Sequence, residues 1–214
     1  MKILLADDHA IIRDGLANML RQIDHEIVGE ATDGRAAVQL ALELQPDIVV
    51  MDIGMPGMNG IEATRQLIEH DAKVAVIALS MHSDATYVGR MLQAGARGYL
   101  LKESAFDELE EAIDNVLKGR IFLGSKIQGV VVGDYVDRLG GKRPSSPVTL
   151  TNKEREVLQL VAEGKSTKEI AQALSITVKT VETHRHNIMN RLDIRSIAQL
   201  TKYAIRQGLT SLDS

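Results

Sequence analysis

Asp52 closes the apolar run Ile48-Val49-Val50-Met51 and opens the turn-rich stretch Ile53-Gly54-Met55-Pro56-Gly57-Met58-Asn59-Gly60. A buried strand that delivers a carboxylate to a loop of Gly and Pro places it for chemistry, because ligands of open α/β sheets collect beyond the carboxyl ends of the strands. Asp7 and Asp8 follow the run Lys2 to Ala6 in the same way, Ser80 follows Val74 to Leu79, and Lys102 follows Gly98 to Leu101. Carboxylates gathered at one edge repel one another unless a cation joins them. Oxygen ligands without His or Cys favour a hard ion such as Mg²⁺.

The elements that must position these groups are read from periodicity. Strand-like runs at Lys2 to Ala6, Glu26 to Ala31, Ile48 to Met51, Val74 to Leu79 and Gly98 to Leu101 alternate with helical patterns. The helical patterns include Ile12, Leu16, Met19 and Leu20, and the segments Ala36 to Leu44, Gly60 to Glu69, Asp84 to Gln93 and Ser104 to Leu117. Five strand-helix repeats predict an α/β domain with a five-stranded parallel sheet covered on both faces. In the flavodoxin-like order, strands one and three flank the switch point, so their ends line one crevice. Each residue also has a plainer use taken singly: Asp8 as a helix cap, Ser80 as a strand end, Tyr99 as half-buried filler and Lys102 as a solvated charge. Their coincidence at the ends of successive strands weighs against those uses, whereas His82, two residues after Ser80 and near enough to touch the site, is better suited to a surface role.

Residues 1–120 resemble the receiver domain of two-component response regulators. The likeness rests on Asp7-Asp8, on Asp52 within Met51 to Gly60, and on Ser80, Tyr99 and Lys102. It implies that Asp52 takes a phosphoryl group from the phosphohistidine of a sensor histidine kinase. It also implies that Mg²⁺ is held chiefly by Asp8, with Asp7, Asp52 and the backbone carbonyl of Gly54. Lys102 would neutralise phosphoryl charge from the other side, Ser80 would hydrogen-bond a phosphoryl oxygen, and Tyr99 would turn inward as Ser80 moves. Glu103 stands where many receivers have proline, and Gly54 offers no side chain to guide or block an attacking water.

The chain has 214 residues and a net charge of -4, distributed unevenly: residues 1–122 sum to -9, residues 123–147 to +2 and residues 148–214 to +3. An acidic front and a basic back imply different partners, the back half being the candidate for a polyanion such as DNA. With no cysteine, disulfides and thiolate metal sites are excluded, which suits a reducing cytosol. No apolar run reaches the length of a membrane span, so a cytoplasmic protein without a membrane partner is expected. Residues 121–147 are expected to form a linker: glycines punctuate it and Lys142-Arg143-Pro144-Ser145-Ser146-Pro147 is strongly linker-like. Within it the apolar stretch Ile127 to Leu139 suits a helix packed on either domain, a reading that Gly129 and Gly133 weaken.

In residues 148–214, Thr151-Asn152-Lys153-Glu154 and Ser166-Thr167-Lys168-Glu169 have the capping-box form and should each open a helix. A third helix starts with Thr177 as its cap and a fourth follows Ser196, giving an all-α four-helix domain with a helix-turn-helix arrangement. On the third helix Val181, Ile188 and Leu192 share a core-facing stripe, which turns Lys179, Glu182, Thr183, His186 and Asn190 outward. Periodicity alone is satisfied by an ordinary solvated helix. Residues 149–209 resemble the LuxR-type DNA-binding domain, through Leu150 to Glu154, Ile170 to Leu174 and Thr180 to Ile188. Receiver plus this domain identifies the NarL/FixJ type of response regulator. The resemblance implies that Glu182, Thr183 and His186 face bases of double-stranded promoter DNA, while Lys179, His184, Asn187 and Arg191 hold phosphates or the groove wall. The fourth helix, ended by Gly208, would pair two copies on adjacent half-sites, with a homodimer released by phosphorylation. Two other functions compete. One is a DNA-binding regulator indifferent to phosphorylation. The other is an aspartate-nucleophile phosphotransferase, disfavoured because Gly54 stands where such enzymes place a general acid; no enzyme activity is therefore expected.

Overall fold

A computed structural model of the chain describes residues 1–70, 73–139, 150–192, 194–207 and 209–210. The chain divides into two compact units, one within Met1–Arg143 and one within Pro144–Ser214.

In the first unit, strands β1 (Lys2–Ala6), β2 (Glu26–Ala31), β3 (Ile48–Asp52), β4 (Ala75–Ser80), β5 (Gly98–Leu101) and β6 (Phe122–Leu123) form one sheet in the order β2-β1-β3-β4-β5-β6. Every pairing is parallel. The crossovers are α1 (Ala10–Gln22), α2 (Gly34–Leu44), α3 (Gly60–His70), α4 (Ala85–Gln93) and α5 (Ala105–Leu117). Alternation along each strand feeds two cores. Ile3, Leu5, Ile48, Val50, Ile77, Leu79 and Leu100 pack with Leu16 and Leu20 of α1 and Leu109 and Ile113 of α5. Leu4, Val49, Met51, Val76 and Tyr99 pack with Ala37 of α2, Leu67 of α3 and Val88 and Met91 of α4. Strands buried on both faces explain the unbroken Val, Ile and Leu runs that marked them in the sequence.

The sheet has six strands where the sequence predicts five. β6 is two residues long between Arg120 and Gly124, too short to register as a period, yet Phe122 pairs with Gly98 and Leu123 with Tyr99. It leads into α6 (Ser125–Leu139), whose Ile127 is fully buried in the first unit's core beside the half-buried Val131. Residues 121–139, read from the sequence as part of a linker with a helix over Ile127 to Leu139, carry a strand and that helix, both packed on the first unit; the Lys142–Pro147 stretch lies outside the described residues. β3 and β4 each run one residue further than the periodicity indicates, taking in Asp52 and Ser80.

The second unit holds α7 (Asn152–Ala162), α8 (Thr167–Ala173), α9 (Val178–Leu192) and α10 (Ile197–Arg206). Both capping boxes are present: Thr151 and Ser166 accept from the backbone N–H groups of Glu154 and Glu169, whose carboxylates return to the cap N–H groups. Thr177 Oγ1 accepts from Thr180 N–H at 3.1 Å, and Ser196 Oγ accepts from Gln199 N–H at the start of α10. Leu158, Ile170, Val181, Ile188, Leu200 and Ala204 fill the core. Gly208 lies outside the described residues. Among the described residues no helix is long and apolar enough to cross a membrane.

Candidate functional site

The strand order brings the ends of β1, β3, β4 and β5 side by side, and the sequence places a functional group just at or beyond each. Asp52, the last residue of β3, is 2% exposed; Asp7, the first after β1, is also 2% exposed. Lys102, the first residue after β5, is buried and reaches between them: its Nζ lies 2.8 Å from Asp7 Oδ2 and 2.9 Å from Asp52 Oδ2. Among the described residues the ammonium is the cationic partner that these two Oδ2 atoms share. Asp52 Oδ1 accepts from Gly54 N–H at 3.2 Å. The close return of α3 depends on Gly60, because a Cβ there would stand 2.0 Å from the Asp52 carbonyl oxygen.

The electrostatics follow from this crowding. Burial raises the Asp52 pKa from 3.8 to about 6, aided by the charge of Asp7 and opposed by Lys102 and the Gly54 N–H. Burial by itself would lower the Lys102 pKa, but Asp52 and Asp7 outweigh it and hold the ammonium above the ordinary lysine value. The pair of carboxylates is thus only half neutralised, and Asp8 adds a third negative charge at the rim.

Asp7, Asp8, His9 and Asp52 each offer one ligand atom, and these four atoms lie within 4.8 Å of one another. Three carboxylates, two of them buried and sharing a single ammonium, fit a hard divalent ion. The sequence pattern left His9 unmarked. Its Nδ1 lies 3.1 Å from Asp7 Oδ1, 2.9 Å from Asp8 Oδ1 and 3.5 Å from Lys102 Nζ, so its ring leans on the same carboxylates. The only sequence signal was its place directly after Asp8. Arg13, also unmarked, donates to the Asp7 carbonyl at 2.8 Å while its Nε donates to Glu30 at 2.9 Å, fixing the loop after β1.

Ser80 and Tyr99 meet through one backbone segment. His82 N–H donates to Ser80 Oγ at 2.9 Å, and the fully buried Tyr99 donates its hydroxyl to the His82 carbonyl at 2.8 Å. The His82 ring stacks on Tyr87, centroids 4.4 Å apart, so it has a specific partner on α4 rather than plain solvent. Burial raises the Tyr99 pKa, which keeps the hydroxyl a donor. Tyr99 therefore occupies the inward position and is core, not half-buried filler.

In the second unit Val181 and Ile188 are buried and Leu192 packs against them. Lys179, Glu182, Thr183, His186, Asn187 and Asn190 are exposed on α9, and His184 is half-buried. Thr183 bonds back to the Lys179 carbonyl at 2.9 Å, and Asn190 pairs with His186 at 2.9 Å. Arg191 is anchored: its Nη1 lies 3.0 Å from Oε2 of the buried Glu154 on α7. Arg185, another unmarked residue, ties α9 to α8 through Thr167 Oγ1 at 3.2 Å. α8, the turn from Leu174 to Thr177 and α9 make a helix-turn-helix whose second helix presents a compact polar face.

A parallel doubly wound sheet with an acidic pocket, a shared lysine and a Ser-Tyr pair defines the first unit as a receiver domain, and residues 3–114 match the family described as "Response regulator receiver domain". Residues 148–204 match "Bacterial regulatory proteins, luxR family". The chain belongs to the response regulators of the NarL/FixJ type, a receiver domain followed by a LuxR-type helix-turn-helix domain. It is 42% identical to the transcriptional regulatory protein LiaR of Bacillus subtilis (strain 168), across 99% of this chain and 100% of that one. It is 37% identical to the oxygen regulatory protein NreC of Staphylococcus carnosus, across 98% and 99%. A structure of RcsB from Salmonella enterica serovar Typhimurium, bound to promoter rprA in the presence of phosphomimetic BeF₃⁻, shares 27% identity and a TM-score of 0.62, covering 95% of this chain and 97% of that one.

Proposed function

We propose that the protein is a cytoplasmic transcription regulator whose Asp52 accepts a phosphoryl group from a sensor histidine kinase, and whose phosphorylation controls dimerisation and promoter binding. The observation that carries this is the Asp52 carboxylate itself. It is buried at a strand end, shares one ammonium with Asp7, and presents its Oδ2 to that ammonium at 2.9 Å. An Asp52 carboxylate oxygen attacks phosphorus as the phosphohistidine P–N bond breaks, and the imidazole departs neutral after taking up a proton. Asp8, Asp7, Asp52 and the Gly54 carbonyl would hold Mg²⁺, which when bound supplies charge neutralisation for the incoming phosphoryl oxygens. Lys102 already spans the two buried carboxylates and is placed to pair with a phosphoryl oxygen. Ser80 would donate to another such oxygen, exchanging its present bond with His82 N–H for a charge-assisted one. Because the same segment holds the Tyr99 hydroxyl, movement of Ser80 is felt at the surface of α4 and β5.

For output, Glu182, Thr183 and His186 would address base edges and Lys179, His184, Asn187 and Arg191 the backbone. Arg191 would serve from a fixed position, because Glu154 holds its guanidinium. α10 would pair neighbouring second units on adjacent half-sites. The relatives are named as regulators, and a signal-receiving rather than substrate-consuming role fits the lack of a general acid at Gly54.

The test is phosphoryl labelling with a small phosphodonor and Mg²⁺, followed by promoter footprinting. Wild type should label once, and Asp52→Ala should take up no label and lose the phosphodonor-dependent change in footprint. Label persisting on Asp52→Ala would show that another residue is the acceptor.

A further inference from the structure

Lys102 occupies one edge of the acidic pocket and leaves another to His9. The ammonium meets Oδ2 of Asp7 and Oδ2 of Asp52 at 2.8 and 2.9 Å. Asp7 Oδ1 instead accepts from His9 N–H at 2.8 Å and faces His9 Nδ1 at 3.1 Å, and Asp8 Oδ1 faces the same nitrogen at 2.9 Å. His9 is the N-cap residue of α1, yet its side chain makes no capping bond; although that side chain is 61% exposed, Nδ1 is directed inward. The protein's own groups satisfy this nitrogen poorly. A ring nitrogen offers one N–H or one lone pair. An N–H serves one carboxylate and leaves the other facing nitrogen, whereas a lone pair faces two oxygens of its own sign. Lys102 Nζ, 3.5 Å from Nδ1, is committed to the Oδ2 atoms.

We propose that His9 Nδ1 is a ligand of the divalent ion held at Asp52, and that this nitrogen shifts the site's preference from Mg²⁺ towards first-row transition ions such as Co²⁺. Adjacent ligands of an octahedral ion with bonds of about 2.1 Å stand about 3.0 Å apart. The separations of 3.1 and 2.9 Å between Nδ1 and the two carboxylate oxygens are edges of that size. The ligand atoms of Asp7, Asp8, His9 and Asp52 lie within 4.8 Å of one another, close to the diameter of about 4.2 Å of such a sphere. Charge fits as well. Three carboxylates and one ammonium leave two negative charges for a divalent ion to cancel, and a neutral imidazole adds a bond without adding charge. Imidazole suits iron, nickel and zinc ions and their neighbours better than Mg²⁺, whose own preference is for oxygen. His82, the other histidine beside the pocket, stacks on Tyr87 and is outside the four-atom cluster. The inference rests on the reading of the Asp52 pocket as a divalent-cation site, and adds the one donor that an oxygen-only set leaves out.

The test uses the full chain with Co²⁺ as the probe and no phosphodonor. Wild type should bind Co²⁺ at least about tenfold more tightly than Mg²⁺ by calorimetry. Proton NMR of the Co²⁺ form should show a far-shifted imidazole N–H resonance that vanishes in D₂O and is chased by excess Mg²⁺. His9→Asn retains a good helix cap and should keep the wild-type circular dichroism. It should erase the resonance and lower Co²⁺ affinity at least about tenfold, while Mg²⁺ affinity changes by no more than about threefold. His82→Ala should keep the resonance. A wild type without the resonance, a resonance that survives His9→Asn, or equal losses of Co²⁺ and Mg²⁺ affinity would overturn the proposal. So would Co²⁺ that excess Mg²⁺ does not displace, because the ion would then be held elsewhere. The two readings fail separately. Oxygen-only coordination leaves phosphoryl labelling of Asp52 intact, and a wild type that takes no label refutes Asp52 as the acceptor while leaving the imidazole resonance in place.

Discussion

Replacing Asp52 by Asn should stabilise the first unit, and the size of the gain follows from the carboxylate's surroundings. In the unfolded chain Asp52 titrates near 3.8, whereas in the folded state burial and Asp7 lift it to about 6. Between those values the folded state binds more protons than the unfolded one, so stability is fully present below the lower value and falls as pH rises to the upper. A shift of roughly two units corresponds to about 3 kcal/mol lost by neutral pH. Asn keeps the shape and removes the charge, and Lys102 is not orphaned because Asp7 remains 2.8 Å away. Urea unfolding in EDTA at about pH 7.5 should therefore show the midpoint of Asp52→Asn raised by about 1–2 M for a slope near 2 kcal/mol/M. Hydrogen exchange of the β3 amides would assign the gain to the first unit. At about pH 4, where the folded wild type is already protonated, the gap should close. Added Mg²⁺ at neutral pH should narrow it as well, by stabilising the wild type alone. A variant no more stable than wild type at neutral pH, or equally stabilised at both pH values, would refute the electrostatic account of this pocket.

Gly60→Ala should cost about 4 kcal/mol or more and abolish phosphoryl labelling, since its Cβ would meet the Asp52 carbonyl oxygen at 2.0 Å; chemical denaturation and labelling of the same sample check both. Tyr99→Phe should cost about 1 kcal/mol through loss of the bond to the His82 carbonyl, measured by urea unfolding of the first unit. Glu154→Ala should destabilise the second unit by about 2–3 kcal/mol, because it removes both a capping-box partner and the anchor of Arg191, and its unfolding midpoint should fall while that of the first unit stays put. Lys179→Ala should lower the slope of log affinity against log salt by about 1 without altering base preference, as read from binding to promoter and unrelated DNA.

The receiver pocket was legible in the sequence because its chemistry is carried by charged residues at the ends of apolar runs. A strand buried on both faces reads as a continuous hydrophobic word, and Asp52, Ser80 and Lys102 are its punctuation. Capping boxes made α7 and α8 equally readable, since Thr151 and Ser166 each announce a partner three residues on. What escaped has an equally physical cause. β6 pairs through backbone groups that any sequence supplies, so two residues leave no pattern. α6 was half legible: the run from Ile127 to Leu139 suited a helix, its two glycines counted against one, and tertiary anchoring through Ile127 overrides that local cost. His9 and Arg13 act through contacts that only the folded loop creates, and the stack of His82 on Tyr87 joins residues whose nearness depends on where α4 begins. Arg191 shows the opposite case: its place on α9 was plain, but its tether to Glu154 on α7 was not.

The pairing of β6 with β5 also bears on how this molecule can be cut. A fragment ending near residue 120, close to the limit of the family match, would leave the whole length of β5 as an open edge. The Tyr99 carbonyl would lose its Gly124 donor, and the socket filled by Ile127 would face water. Unpaired edges and bared apolar sockets invite strand addition from other chains. Expressed alone, the first unit should therefore stay monomeric more readily when it carries β6 and α6 than when it is cut before them.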